Sequence, residues 1–167
     1  MNILEIGTVT GDATTSILEV LGGQNSTSPR CSNHTFTDIR TESFEKAHEK
    51  LKPWLPYMTV RELDVEQDPI ESGCALSEYD LNVTANVLQA TSIMDAILSN
   101  VKKPMKLDAN LIMSETTHLQ YCFNMIVGSF DGWWTGKDDG RQWGSTILRN
   151  FGILFCRAAA LVVLTLP

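Results

Sequence analysis

Asn2-Ile-Leu-Glu-Ile-Gly-Thr-Val-Thr-Gly-Asp-Ala-Thr14 carries three structural signals in succession. A short apolar run (Ile3, Leu4, Ile6) holds an acid at Glu5. It breaks at Gly7 into a Thr/Gly turn, and Ala13, Ile17, Val20 and Leu21 follow at helical spacing. That is a buried strand, a tight turn and a helix opening, the crossover with which α/β folds build a nucleotide site. The glycines discriminate between nucleotides. A dinucleotide fingerprint G-x-G-x-x-G requires Gly at 7, 9 and 12, and only Gly7 is present. A nicotinamide dehydrogenase is therefore a distant reading.

The rest of the chain continues the alternation. After a strand at 2–6 and a helix at 12–21, with Thr10 or Asp12 as N-cap, residues 22–33 are rich in Gly, Ser, Thr, Asn and Pro and read as a loop. A second strand is expected at 35–38, ending in Asp38. Thr41 can cap a helix at 42–51 whose Phe44, Ala47, His48 and Leu51 share one face, and Pro53 and Pro56 end it. Further strands are expected at 58–64, 79–85 and 110–114, with a helix at 93–101 using Ile93, Met94, Ile97, Leu98 and Val101. Alternating strands and helices predict a mostly parallel sheet with helices on both faces. Glycines then recur at 128, 132, 136, 140 and 144, interleaved with Trp133, Trp134 and Trp143. Gly at that density opposes a helix. The segment reads either as a mobile aromatic loop near the carboxyl ends of the strands or as a loop that tucks its indoles onto the core.

Composition narrows the function classes. At 167 residues one domain is expected, able to bury roughly two-thirds of its unfolded surface. The net charge of −7, without a basic stripe, excludes non-specific nucleic-acid binding and disfavours anionic membranes. The four cysteines (31, 74, 122, 156) are scattered, with no C-x-x-C, so neither zinc nor any other metal site is expected. No secretory signal is legible, which suits a reducing, cytoplasmic setting and makes the Asn-x-Ser/Thr sequons at 25, 33 and 82 chance matches. The apolar stretch 151–167, interrupted by Arg157, is short for a membrane span and reads as a buried strand or helix.

Ligands of open α/β sheets sit beyond the carboxyl ends of the strands. Glu5 and the Gly7–Gly11 turn, Asp38, Asp64, the Asn86–Gln89 segment and Glu115 all arrive there. A carboxylate at 38 suits a ribose diol, and one at 64 an adenine amino group. A lone Asp at a strand end is more often a cap or turn former. Three acids at three successive strand ends favour a ligand. The glycine pattern acid-x-G-x-G-x-G, typical of S-adenosylmethionine (SAM) methyltransferases, is met at Glu5, Gly7 and Gly11, with Val at 9.

Several segments together resemble the C-methyltransferase domain of fungal highly reducing polyketide synthases. They include Asn2-Ile-Leu-Glu-Ile-Gly, Thr35-Phe-Thr-Asp-Ile, Phe44-Glu-Lys-Ala-His-Glu-Lys-Leu-Lys-Pro-Trp-Leu, Glu62-Leu-Asp-Val-Glu-Gln-Asp-Pro, Asn86-Val-Leu, Glu115-Thr-Thr-His-Leu-Gln, Gly132-Trp-Trp and Gly136-Lys-Asp-Asp-Gly-Arg-Gln-Trp-Gly. The resemblance covers about residues 2–146. It implies a Rossmann-like class I SAM-methyltransferase sheet and SAM as cofactor. The implied reaction is methyl transfer to the α-carbon of a β-ketoacyl chain held on an acyl carrier protein. It implies a cofactor set of Glu5, Gly7, Thr8, Gly11, Asp38, Ile39, Asp64, Val65 and Asn86, and a catalytic pair at Glu115 and the family's His position, here Gln89.

The departures from the family are specific. A glutamine amide does not take a proton near neutral pH, so Gln89 leaves SAM or partner binding without turnover as an alternative. His118 is a distant substitute. Val9 and Asp12 stand where the family has glycines, and Leu107-Asp-Ala109 replaces its Pro-Gly-Gly turn. Residues 147–167 read as a divergent apolar tail. The closing strands are therefore expected to be missing or altered, and the whole to be a synthase fragment that begins at strand one.

Overall fold

The computed structural model describes residues 1–8, 11–21, 30–40, 42–115, 125–126, 128–129, 131–141 and 161–163. Strands β1 (Asn2–Ile6), β2 (Asn33–Asp38), β3 (Met58–Glu62), β4 (Tyr79–Ala85), β5 (Met105–Ser114) and β6 (Leu161–Val163) form one sheet in the order β3-β2-β1-β4-β5-β6. Every pairing is parallel. Helices α1 (Asp12–Leu21), α2 (Glu42–Lys50) and α3 (Met94–Lys102) are spaced between the strands. This is the Rossmann-like sheet expected of class I SAM methyltransferases. No helix of the described residues is long and apolar enough to cross a membrane.

β1 is covered on both faces, as a central parallel strand must be. Leu4 and Ile6 pack with Met94, Ile97 and Val101 of α3, and with Leu63 and Tyr79. Ile3, on the opposite face, meets Leu81, Val83 and Cys31, with Ile17 and Leu21 of α1 against them. A third cluster joins Leu18 of α1, Phe36 of β2 and Ala47, Leu51 and Trp54. Polar residues fasten α3 from two sides. The Asn82 amide of β4 donates to Val101 O at 2.8 Å, and Asn100 donates to Val65 O and Gln67 O at 3.0 Å each.

Some expectations from pattern need correction. The buried stripe of α1 uses Thr14 and Leu18, with Ile17 and Leu21 half-buried, while Val20 is exposed. His48 lies on the solvent side of α2. Ile93 is the extended, exposed N-cap of α3 rather than part of its buried face. After α2 the chain continues as a 3-10 turn (Lys52–Tyr57) with Pro at its start and inside it. β5 begins at Met105, five residues before the expected start: Met105 pairs with Tyr79 of β4, and after a register shift over mostly exposed residues the pairing resumes at Asn110. The tail contributes β6 beside β5. Val9, Thr10, Thr41 and His118 lie outside the described residues.

Candidate functional site

The strand order reverses between β1 and β4: β2 and β3 lie on one side of β1, β4 to β6 on the other. A cleft of about 480 Å³ opens at this switch point, within the usual range for small-molecule sites. Its walls come from the carboxyl ends of β1 to β4 and from Thr135 in the glycine-rich segment.

β1 ends in Ile6 and Gly7, both lining the cleft. Gly7 has φ +70, and a Cβ there would lie 2.4 Å from Cγ2 of Val87. Only glycine meets both the left-handed conformation and the close approach of the β4 end. The turn is pinned to β2: Gly7 N and Thr8 N donate to Thr37 O at 2.9 and 3.1 Å, and the Thr8 hydroxyl donates to the same oxygen at 3.2 Å. Thr8 is buried beneath the turn. Gly11, with φ +68, closes it through a bond from its N–H to Thr8 O at 2.7 Å. Neither Thr8 nor Gly11 lines the cleft. Asp12, at the start of α1, is exposed and pairs with Lys50 of α2.

Asp38 and Asp64 both line the cleft. Each also forms a turn: Asp38 Oδ1 accepts Arg40 N at 2.8 Å, and Asp64 Oδ1 accepts Glu66 N at 2.9 Å. The turn-forming and ligand-facing roles therefore coincide, since a carboxylate offers about four acceptor sites. Ile39, 57% exposed, and the buried Leu63 and Val65 give the same cleft apolar wall. Asn86 completes it with φ 55, a conformation Asn tolerates, and its N–H donates to Ser114 O at 2.8 Å. Acceptors beside apolar side chains suit a nucleoside, whose hydroxyls and amino group donate while its ring faces pack.

Glu5 is placed elsewhere. It is 2% exposed, and its Oε2 lies 2.7 Å from Nε2 of His34, itself fully buried in β2. The pair sits inside the sheet and does not line the cleft.

The segment 87–94 leaves β4 through a 3-10 turn (Leu88–Ala90) and reaches α3. Gln89 is the middle residue of that turn; its side chain lies outside the described atoms. Glu115, 6% exposed, turns its Oε1 to Val87 N at 3.2 Å and Leu88 N at 3.1 Å, and does not line the cleft. It holds the turn that carries Gln89. Sequence reasoning assigned no role to three other residues that hold this segment. Glu66 Oε1 accepts Ser92 N at 2.7 Å. Asp139 Oδ2 accepts Met94 N at 3.1 Å. The buried Arg141 guanidinium donates to Thr91 O and, at 3.0 Å, to Ser92 O. Burial pushes the Arg141 guanidinium below its ordinary range, opposed by the nearby Asp139 and Glu115 carboxylates. These partners lie 26 to 50 positions apart in the chain, so no spacing rule signals them. In the glycine-rich segment, Trp134 is exposed and bonded through Nε1 to Gly128 O at 2.9 Å, while Trp133 is half-buried.

No protein-family model matches the chain. Curated relatives do. The chain is 40% identical over 147 residues to the hybrid PKS-NRPS synthetase LUC5 of a Fusarium species, covering 88% of this chain and 4% of that protein. It is 36% identical over 159 residues to the highly reducing polyketide synthase azaB of Aspergillus niger, covering 89% of this chain and 6% of that synthase. The chain thus spans a small fraction of the relatives it matches. Among solved structures, trans-methyltransferase CalH in complex with SAH aligns with a TM-score of 0.87 at 30% identity, covering 94% of this chain and 43% of CalH. The CurJ carbon methyltransferase aligns at 0.83 and 29%, covering 95% of this chain and 41% of its own. The citrinin polyketide synthase CMeT domain shares the fold, at a TM-score of 0.80 and 21% identity, with 95% and 40% coverage. By sequence the chain is similar to a small part of fungal polyketide synthases, and by fold to carbon methyltransferases.

Proposed function

We propose that this chain is the SAM-binding core of a polyketide synthase C-methyltransferase domain, of the kind that methylates the α-carbon of a β-ketoacyl thioester on an acyl carrier protein. The observation that carries the reading is the cleft at the β1/β4 switch point, where Gly7, Asp38, Ile39, Asp64, Val65 and Asn86 converge. The residues fit the cofactor. Asp38 is the acceptor for the ribose hydroxyls, and Asp64 for the adenine amino group. Ile39 and Val65 supply the apolar slot for the ring, and Gly7 keeps the turn bare for close approach. When bound, SAM supplies an electrophilic methyl on its sulfonium. The chain's part is to orient that methyl toward an acyl group and to exclude water. The same reading sets the chain in the cytoplasm, within or beside a synthase.

A second reading, SAM binding without turnover, is favoured by a specific observation. The α-proton needs a base, Gln89 stands at the family's His position, and Glu115 is occupied by two backbone N–H groups. Titration calorimetry tests the shared part: SAM binds the wild type, and Asp38→Ala loses at least about tenfold in affinity, as for a hydrogen bond to a charged group. Absence of heat with the wild type at millimolar SAM defeats both readings. Methylation of a β-ketoacyl thioester separates them. The C-methyltransferase reading expects measurable transfer by the wild type. The silent reading expects none until Gln89→His restores a base.

A further inference from the structure

Four described side chains from outside the 87–94 segment, Glu66, Glu115, Asp139 and Arg141, bond to its backbone, and the last two come from the glycine-rich stretch. Asp139 accepts the N–H of Met94, the first residue of α3. Arg141 spans the carbonyls of Thr91 and Ser92, and its own N–H donates to Gly136 O at 3.2 Å, closing residues 136–141 on themselves. Arg141 and Asp139 are also 3.6 Å apart, so the two anchors brace each other. Gly136 is shaped by this arrangement: a Cβ there would lie 2.0 Å from Cζ of Arg141. One residue before it, Thr135 lines the cleft opposite a segment whose Ala90 and Thr91 line it too.

We infer that Arg141 is a positioning residue: it fixes the glycine-rich stretch to the 87–94 segment and so makes Thr135 a wall of the cofactor cleft. This rests on the SAM reading of that cleft and deepens it. The chemistry suits the task. A planar guanidinium presents several donors in a rigid fork and can hold two adjacent carbonyls at once, whereas an ammonium is a point donor. Buried in the fold, the group is desolvated, so its bonds to the carbonyls are stronger than at a surface. The cleft and the stretch are then thermodynamically linked. A ligand that contacts both walls favours the docked stretch, and a loosened stretch weakens the ligand to the same degree.

Two variants test the inference. Arg141→Met removes the fork. Gly136→Ala keeps Arg141 and its charge but forces the guanidinium off the carbonyls, with a backbone (φ −86) that alanine accepts. Amide hydrogen exchange without ligand is the first readout. Both variants should speed exchange at Met94 by about tenfold while amides of β1 and β4 stay unchanged. Arg141→Lys should recover part of the protection. Unchanged exchange at Met94 in both variants would overturn the inference, whatever SAM does. The second readout is SAM affinity and SAM-dependent protection of Lys137, an exposed residue of the stretch, from trypsin. The wild type should gain protection with SAM, and both variants should lose it together with about tenfold in affinity. Equal affinity and equal protection in wild type and variants would overturn the link to the cleft. A wild type that binds no SAM but shows the exchange effect would instead defeat the proposed function and leave the clamp standing.

Discussion

At Gly7 the backbone conformation and the packing make the same demand. The residue takes φ +70 and meets Val87 where any side chain would begin. Gly7→Ala therefore meets two penalties, left-handed strain and overpacking, which together cost about 2–4 kcal/mol. Urea unfolding should show that loss, and calorimetry should show SAM affinity falling with it, because Val87 stands on the cleft wall. Stability unchanged in Gly7→Ala would mean that the β1 and β4 ends do not approach as described. Glu5 poses a different demand. Its carboxylate is held by His34 inside the sheet, where neither ring nor acid meets water. Glu5→Ala strands the buried imidazole and should cost about 2–4 kcal/mol. Glu5→Gln keeps an acceptor for Nε2 and should cost less than half as much in the same urea assay. Equal losses in the two variants would show that the pair acts through something other than this hydrogen bond. The position was legible as important from the acid in an apolar run. Its partner was not, because His34 faces it only after β2 pairs with β1.

Between elements, polar links at the amino ends of the strands answer the cleft at their carboxyl ends. Asp80 of β4 accepts Asn2 N of β1 at 2.7 Å and pairs with Lys106 of β5 at 2.5 Å, so one carboxylate ties three neighbouring strands. The Lys106 ammonium, then the Asn2 N–H, hold the Asp80 carboxyl below its ordinary range. Lys103 and the Ile70 N–H do the same for Asp68. A depressed acid contributes stability above its unfolded value of about 3.9, and that stability is lost as pH falls through the lower folded value. Between pH 5 and 2 the urea midpoint of the wild type should fall more steeply than that of Asp80→Asn. The difference should be modest, because both acids are solvent-screened. Parallel slopes would remove the linkage. The elements themselves were legible where apolar runs are sharply bounded: β1, α1 and β4 lie where the pattern predicts. β5 was legible only from Asn110, because Lys106, Leu107 and Asp108 carry no buried face and fall in a register shift against β4. In the site, Gly7, Asp38, Asp64 and Asn86 were legible because strand ends converge by topology. Arg141 and Glu66 were not, because what they hold is backbone, which leaves no mark on the side-chain pattern.

For the whole molecule, the cleft is assembled from chain segments as distant as Ile6 and Thr135, and those segments meet only in the folded state. A ligand seated there binds the native chain and not the unfolded one, so it must raise thermal stability by mass action. At a hundredfold excess over its dissociation constant the gain is about 2.7 kcal/mol. For a domain of this size that shifts Tm by a few degrees, on the order of 5–10 °C. SAM should produce the shift, and so should its demethylated product, because the proposed contacts are to sugar, base and backbone turn rather than to the methyl. NADH should not produce it. The turn lacks the second glycine that lets a pyrophosphate approach the backbone and the third that lets helix and strand pack closely. Asp38→Ala should remove most of the shift for both adenosyl ligands, measured against its own ligand-free Tm, since its carboxylate lines the cleft. A shift with NADH equal to that with SAM, or a shift that survives in Asp38→Ala undiminished, would move the binding site away from the β1/β4 switch point and leave the resemblance to methyltransferases one of ancestry.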